Sequence, residues 1–289
     1  MIYLAEKTTE KDLNAAILRA AITLRKSINA SENYKIVLAL LFIKRLNDTF
    51  AEQVEKNKKK GMSQKEAENP RRHDFFIPPD ARWKKLTDAG KNVGSTIVTV
   101  CKAVESSTDL LEDTMNYKEF TDKKKYPDDK LRELIQEFDS IPLGNDSLEN
   151  PDILGNAYEY LLETFADETK KKGGQFFTPR EVVQLLVQLM EPQANHRICD
   201  PMCGSGGFLI HARRFVKKHL KKGQNIRDMT LHGQDSNPDT VSMCKMNMVL
   251  HEISDARIEY GDVLESPKLI EGSKLIKYDR VLANFPFSE

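Results

Sequence analysis

The chain has 289 residues, with 44 basic and 44 acidic side chains, so its formal net charge is zero; charged residues make up 30% and hydrophobic ones 39%. That length accommodates two domains, and a neutral total does not by itself point to a nucleic-acid partner. The longest apolar run, Ile36 to Ile43, is too short to span a bilayer, and the N-terminus does not read as a secretory signal, so no membrane is expected and the cytoplasm is the expected location.

Residues 1 to about 150 read as a helical domain. Leu13, Ile17, Ala20, Ala21 and Leu24 share one helical face, with Thr9 placed to cap it. The segment from Tyr34 to Val54 continues as a strongly apolar helix, buried on most sides. Pro70, Pro78 and Pro79 then forbid a continuous helix, and Phe75, Phe76, Ile77 and Trp83 are expected to pin that loop to the core. Another helix runs from about Pro127 to Ile141. Basic runs occur at Lys56 and Lys58 to Lys60, at Lys123 to Lys125, at Lys170 to Lys172, and at Lys217, Lys218, Lys221 and Lys222. Most such runs are solvated faces.

From Pro151 the texture changes to 151–289, read as an α/β Rossmann-like domain. An amphipathic helix comes first, then a glycine-marked loop, then a helix starting at Pro179. Strands are predicted at "HRICD", "MTLHGQD", "ARIEY" and "YDRVLAN", with helices after the first two. The alternation implies a parallel sheet with helices on both faces. Cys101, Cys199, Cys203 and Cys244 show no CxxC spacing, so no metal site is expected and buried reduced thiols are the simplest reading.

Four short stretches fall at the carboxyl ends of these strands, where such sheets bind ligands. In "DPMCGSGGFLI", Gly204, Gly206 and Gly207 permit a tight turn and close approach of a ligand. Asp200 before that turn suits a cationic ligand better than a pyrophosphate, which favours S-adenosyl-L-methionine over a nicotinamide dinucleotide. In "GQDSN", Asp235 can accept both ribose hydroxyls of an adenosine, and in "YGDVLES" Asp262 can bond its adenine amino group. The fourth is "NFPF", Asn284 to Phe287. Singly each is ordinary; their order along one sheet is the signal.

Together "GQFFTPREVV", "DPMCGSGGFLI", "GDVLES" and "LANFPF" resemble the modification subunit of type I restriction–modification systems, an adenine-N6 DNA methyltransferase. The front, notably "YKIVLALLFIKRLND" and "FFIPPDARW", resembles that family's N-terminal domain. The resemblance implies that Gln175, Phe176, Phe177, Thr178, Pro179 and Arg180 form a cofactor-side loop. It implies that Asp200, Gly204, Ser205, Gly206 and Gly207 wrap the methionine part of S-adenosyl-L-methionine, and that Asp235 holds the ribose. It maps the catalytic site to Asn284, Phe285, Pro286 and Phe287; Phe285 stands where the family often has Pro. The chemistry of that motif agrees: Asn284 and the carbonyl of residue 285 can accept from the exocyclic amine, and Phe287 can stack on a flipped base.

The partners implied are double-stranded DNA with a flipped adenine, a specificity subunit, a second modification subunit and, in the full system, a restriction subunit acting as nuclease and translocase. The helical front is expected to serve assembly and DNA contact, because it carries no acid–base or metal constellation. The parallel sheet is expected to stop after its fourth strand, so the chain is expected to be truncated and inactive by itself. Two other readings share the motifs: an assembly or DNA-binding module without activity, and a methyltransferase acting on protein glutamine or RNA.

Overall fold

The computed structural model describes residues 7–24, 30–73, 75–107, 114–115, 117–150, 153–169 and 178–285. It divides into two compact units, Met1–Thr169 and Lys170–Glu289.

The first unit is helical: α1 (Glu10–Leu24), α2 (Ala30–Lys59), α3 (Gln64–Ala67), α4 (Lys84–Thr87), α5 (Val93–Glu105), α6 (Asp128–Asp139) and α7 (Ile153–Thr169). Thr9 and Asp12 close the start of α1 reciprocally: each main-chain N–H donates to the other's side chain. Leu13, Ile17, Ala20 and Ala21 are buried as the spacing requires, while the side chain of Leu24 lies outside the described set. Every residue from Ile36 to Ile43 is buried, which makes α2 the central helix.

Three polar residues sink with it, and each is satisfied. Arg45 donates to the Leu143 carbonyl at 2.5 Å and to Asn145. Lys44 pairs with Asp48 and lies 5.8 Å from the Trp83 ring centre. Asn47 donates to the Ala81 carbonyl and accepts from the Trp83 N–H at 2.7 Å. These bonds, with buried Ile77 and Trp83, fix the proline-rich loop, and Phe76 meets Phe50 edge-on at 5.8 Å. Of the basic runs, Lys56 pairs with Asp146, Lys58 with Glu55, Lys123 with Asp128 and Lys125 with Glu119. Lys170 to Lys172 lie outside the described residues. Helix α7 packs on α1 and α2, so it belongs to the first compact unit.

The second unit holds α8 (Arg180–Met190), β1 (Arg197–Asp200), α9 (Gly207–Lys218), β2 (Thr230–Asp235), α10 (Pro238–Leu250), β3 (Arg257–Tyr260), β4 (Ile270–Glu271), β5 (Lys274–Leu275) and β6 (Arg280–Val281). Four of the strands form one parallel sheet in the order β3-β2-β1-β6. These are the four strands read from the sequence. Pro179 sits at the N-cap of α8, one place earlier than expected.

Ile198, Leu231 and Ile258 point from the sheet into a core shared with Val183 and Val187 of α8, Leu209 and Ala212 of α9, and Cys244 and Met248 of α10. All three helices thus feed one face. The opposite face is covered, among the described residues, by the crossover between β3 and β6, through Leu269, Ile276 and Tyr278 against Cys199 and His232. The expectation of helices on both faces is corrected here. The crossover makes an antiparallel β4–β5 hairpin with Gly272 and Ser273 at its turn, a pattern spelled by "LIEGSKLI".

Candidate active site at the strand ends

The chain order of the sheet reverses between β1 and β6, because β2 and β3 lie to one side of β1 and β6 to the other. A crevice outside the carboxyl ends of those two strands is where such sheets take ligands. Asp200 ends β1 and is 1% exposed. Its carboxylate accepts from the Met202 N–H at 3.2 Å, and burial pushes its pKa up to about 7 despite that bond. A group so placed favours a cationic partner, which would return it to the carboxylate form.

The glycine turn follows. Gly204 and Gly206 take left-handed φ angles of 52° and 86°. At Gly206 a Cβ would stand 2.5 Å from Met248 Cε and 2.8 Å from Cys244 Sγ, so the turn lies flush on α10. The N–H groups of the turn are largely consumed within the protein. Met202 donates to Asp200, Cys203 to the Gln234 carbonyl, Gly204 to Asp235 and Gly206 to the Cys203 carbonyl. A phosphate-cradling loop keeps such groups aimed at its ligand; this turn spends them on itself and presents carboxylates instead.

Asp235 ends β2 and is half-buried. One oxygen accepts from Gly204 N–H at 3.0 Å and the other from Asn237 N–H at 2.9 Å. Burial raises its pKa, and the two N–H donors oppose that rise. Each oxygen keeps a lone pair, which suits the two hydroxyls of a ribose. Asp262, exposed, stands two residues beyond β3, and one of its oxygens accepts from the Leu264 and Glu265 N–H groups.

Asn284 lies just beyond β6, and its amide donates to the Thr178 hydroxyl at 3.2 Å. Helix α8 makes that meeting possible. Its last residue, Met190, accepts from Arg280 Nε at 2.7 Å. Eleven helical residues span roughly 16 Å, and the extended chain from Arg280 to Asn284 covers roughly 13 Å. The helix therefore runs back along the edge strand and delivers Thr178 to Asn284. With its nitrogen turned to Thr178, the Asn284 side chain has its oxygen left as an acceptor. The resemblance groups Thr178 with the cofactor-side loop; the structure brings its hydroxyl to Asn284 of the "NFPF" stretch. Burial lowers the pKa values of His211 and His251, and the charges of Arg214 and Arg180 add to that lowering. Gln175, Phe176, Phe177, Pro286 and Phe287 fall outside the described residues. Phe285 is 53% exposed. Ser205 lies buried in the turn, and Gly207 is the first residue of α9.

Two residues were missed by sequence reasoning. Asn247 of α10 is fully buried and donates to the Ser205 carbonyl at 2.9 Å, holding the glycine turn. Gln234, also fully buried, bonds three main-chain groups of the Asp262 loop. For Asn247 the signal available was a carboxamide inside the apolar run "MNMVL"; for Gln234, in "TLHGQD", the sequence offered none. The thiols offer no nucleophile: all four cysteines are buried, and burial pushes Cys199 up to about 12. Among the described residues no cluster of three or more His, Cys, Asp or Glu could hold a metal, and no helix is long and apolar enough to cross a membrane.

A family model described as N-6 DNA Methylase matches residues 149–289, and one described as HsdM N-terminal domain matches residues 13–138. The chain belongs to the family of type I modification subunits. Relatives in that family include the type I restriction enzyme MjaVIII methylase subunit of Methanocaldococcus jannaschii, 31% identical over 98% of this chain and 49% of the relative. The HindI methylase subunit of Haemophilus influenzae is 33% identical over 74% of this chain and 51% of its own length. The chain thus spans about half the length of the curated relatives it matches. In fold it is similar to the type I methyltransferase subunit from Streptococcus thermophilus, at a TM-score of 0.78 and 23% identity, covering 97% of this chain and 64% of that one.

Proposed function

We propose that this chain carries the cofactor-binding and catalytic half of an adenine-N6 DNA methyltransferase, the modification subunit of a type I restriction–modification system. The observation that carries the reading is the gathering at one sheet edge of a buried carboxylate, a glycine turn, Asp235 and Asn284. S-adenosyl-L-methionine, when bound, supplies a methyl group on a cationic sulfur. The donor set suits it: Asp200 for the positively charged amino-acid end, Asp235 for the ribose, Asp262 for the adenine. The chain's remaining work is orientation. Asn284, braced by Thr178, offers its oxygen to the target amine, and the carbonyl of residue 285 offers a second acceptor. Together they turn the nitrogen lone pair toward the methyl group, with Phe287 stacking on the flipped base.

The proposal extends to partners. Double-stranded DNA is the substrate, a specificity subunit and a second modification subunit complete the methylating assembly, and a restriction subunit joins it for cleavage. The cytoplasm is the proposed location. By itself the 289-residue chain is proposed to bind cofactor without completing transfer, in keeping with its half-length match to the relatives.

The test is a fusion of this chain to the C-terminal half of the MjaVIII subunit, assayed with a specificity subunit for N6-methyladenine in duplex DNA. Formation of that product is expected. Asn284→Ala should lower the rate about 10²- to 10³-fold, as removal of an oriented electrostatic group does, with cofactor affinity within twofold of the parent. Methylation of glutamine or RNA in place of DNA adenine would overturn the reading.

A further inference from the structure

Gln234 is fully buried near the end of β2, immediately before Asp235. Its amide nitrogen donates to the Gly261 carbonyl at 2.9 Å and to the Ser266 carbonyl at 3.1 Å, and its oxygen accepts from the Lys268 N–H at 2.9 Å. One side chain thus grips both ends of the loop that presents Asp262. Its main chain serves the other loop, since the Gln234 carbonyl accepts from the Cys203 N–H ahead of the glycine turn. Gly261 bonds back to the same strand, its N–H donating to the Asp235 carbonyl at 2.9 Å. Its φ of 146° and the 3.5 Å from its ideal Cβ position to Gln234 Nε2 show how closely the loop is drawn in.

We propose that Gln234 is a positioning residue that sets the place of Asp262 relative to Asp235, and so governs recognition of the adenine ring of the cofactor. The inference rests on the cofactor reading above. Only a carboxamide serves here. Two carbonyls need a donor and one N–H needs an acceptor, and Glu or Leu of similar size lacks one or both. A buried group that loses such partners forfeits the arrangement they fix, not merely stability.

The test compares two ligands on the 289-residue chain: S-adenosylhomocysteine and its purine analogue without the 6-amino group. The wild type should prefer the amino form by about tenfold or more, the worth of a satisfied polar pair. Gln234→Leu should weaken S-adenosylhomocysteine to a similar degree and flatten the preference to within about twofold. A preference preserved at weaker overall affinity would reduce Gln234 to a structural prop and overturn the proposal. Where Gln234→Leu does not fold, Gln234→Glu carries the same comparison, since it keeps the acceptor for Lys268. Amide hydrogen exchange at Leu264 and Lys268 without ligand supplies the second measurement. Faster exchange in the variant is expected, and unchanged exchange overturns the clamp. Failure of the wild type to bind either ligand defeats the cofactor reading instead, and the exchange result still decides the clamp.

Discussion

The carboxyl of Asp200 is the residue whose ionisation the fold alters most usefully. Burial holds it at about 7, so it carries a proton in the free protein at pH 5.5 and loses it as pH rises through that value. An ammonium ligand favours the carboxylate form. Affinity for S-adenosyl-L-methionine should therefore climb about tenfold or more between pH 5.5 and 7.5 by proton linkage, and Asp200→Asn should abolish the climb. The free protein should respond in the opposite direction. Between 3.8 and about 7 the folded state keeps a proton that the unfolded chain has lost, so this group's contribution to stability is lost as pH rises across that window. Isothermal titration at stepped pH checks the first effect and thermal melts check the second. Thr178 makes a separate prediction. Thr178→Val removes the hydroxyl that orients Asn284, and transfer by the fusion should slow about tenfold, the worth of one such bond, with cofactor affinity unchanged. A matching loss of cofactor affinity would return Thr178 to the cofactor side.

Among the elements, α10 carries the most of the site's geometry. Asn237 caps it by accepting from the Asp239 and Thr240 N–H groups, and donates its own N–H to Asp235. Asn237→Ala should cost about 1 kcal/mol of stability, read by urea unfolding; a loss below a few tenths would mean that the cap is idle. The strands and helices of the second unit were legible because their periods are clean: "HRICD" and "MTLHGQD" sit between turn residues, and Gly207 opens a helix after a glycine turn. The single-sided helix layer was not legible. A strand-helix alternation names the elements but not what fills the last crossover, and there a short hairpin, not a helix, lies over Cys199 and His232. The placement of Asp200, Asp235, Asp262 and Asn284 at or just past strand ends was legible, because each follows a short apolar or β-branched run. Gln234 and Asn247 were hidden because a buried carboxamide reveals itself only through partners far away in sequence. The pairing of Thr178 with Asn284 was hidden for the same reason, 106 positions apart.

At the scale of the molecule, the chain combines a helical unit with its own core and an α/β unit that holds the proposed site. The helical unit is tied shut by its own ends. Thr8 donates to the Ser147 carbonyl and accepts from the Glu149 N–H, and Arg45 reaches Leu143 from the middle of α2. Residues 1–169 expressed separately should therefore unfold cooperatively on heating, as a domain with its own core does; a gradual transition monitored by circular dichroism would contradict that independence. The central claim concerns the other unit, that its strand ends form an S-adenosyl-L-methionine site. The measurement that tests it most directly is calorimetric titration of the 289-residue chain and of Asp235→Ala with that ligand. The account predicts one site per wild-type chain, weakened by about 1–3 kcal/mol in the variant because the ribose hydroxyls lose their acceptor. Equal affinity of the two proteins, or no binding by the wild type, would contradict it.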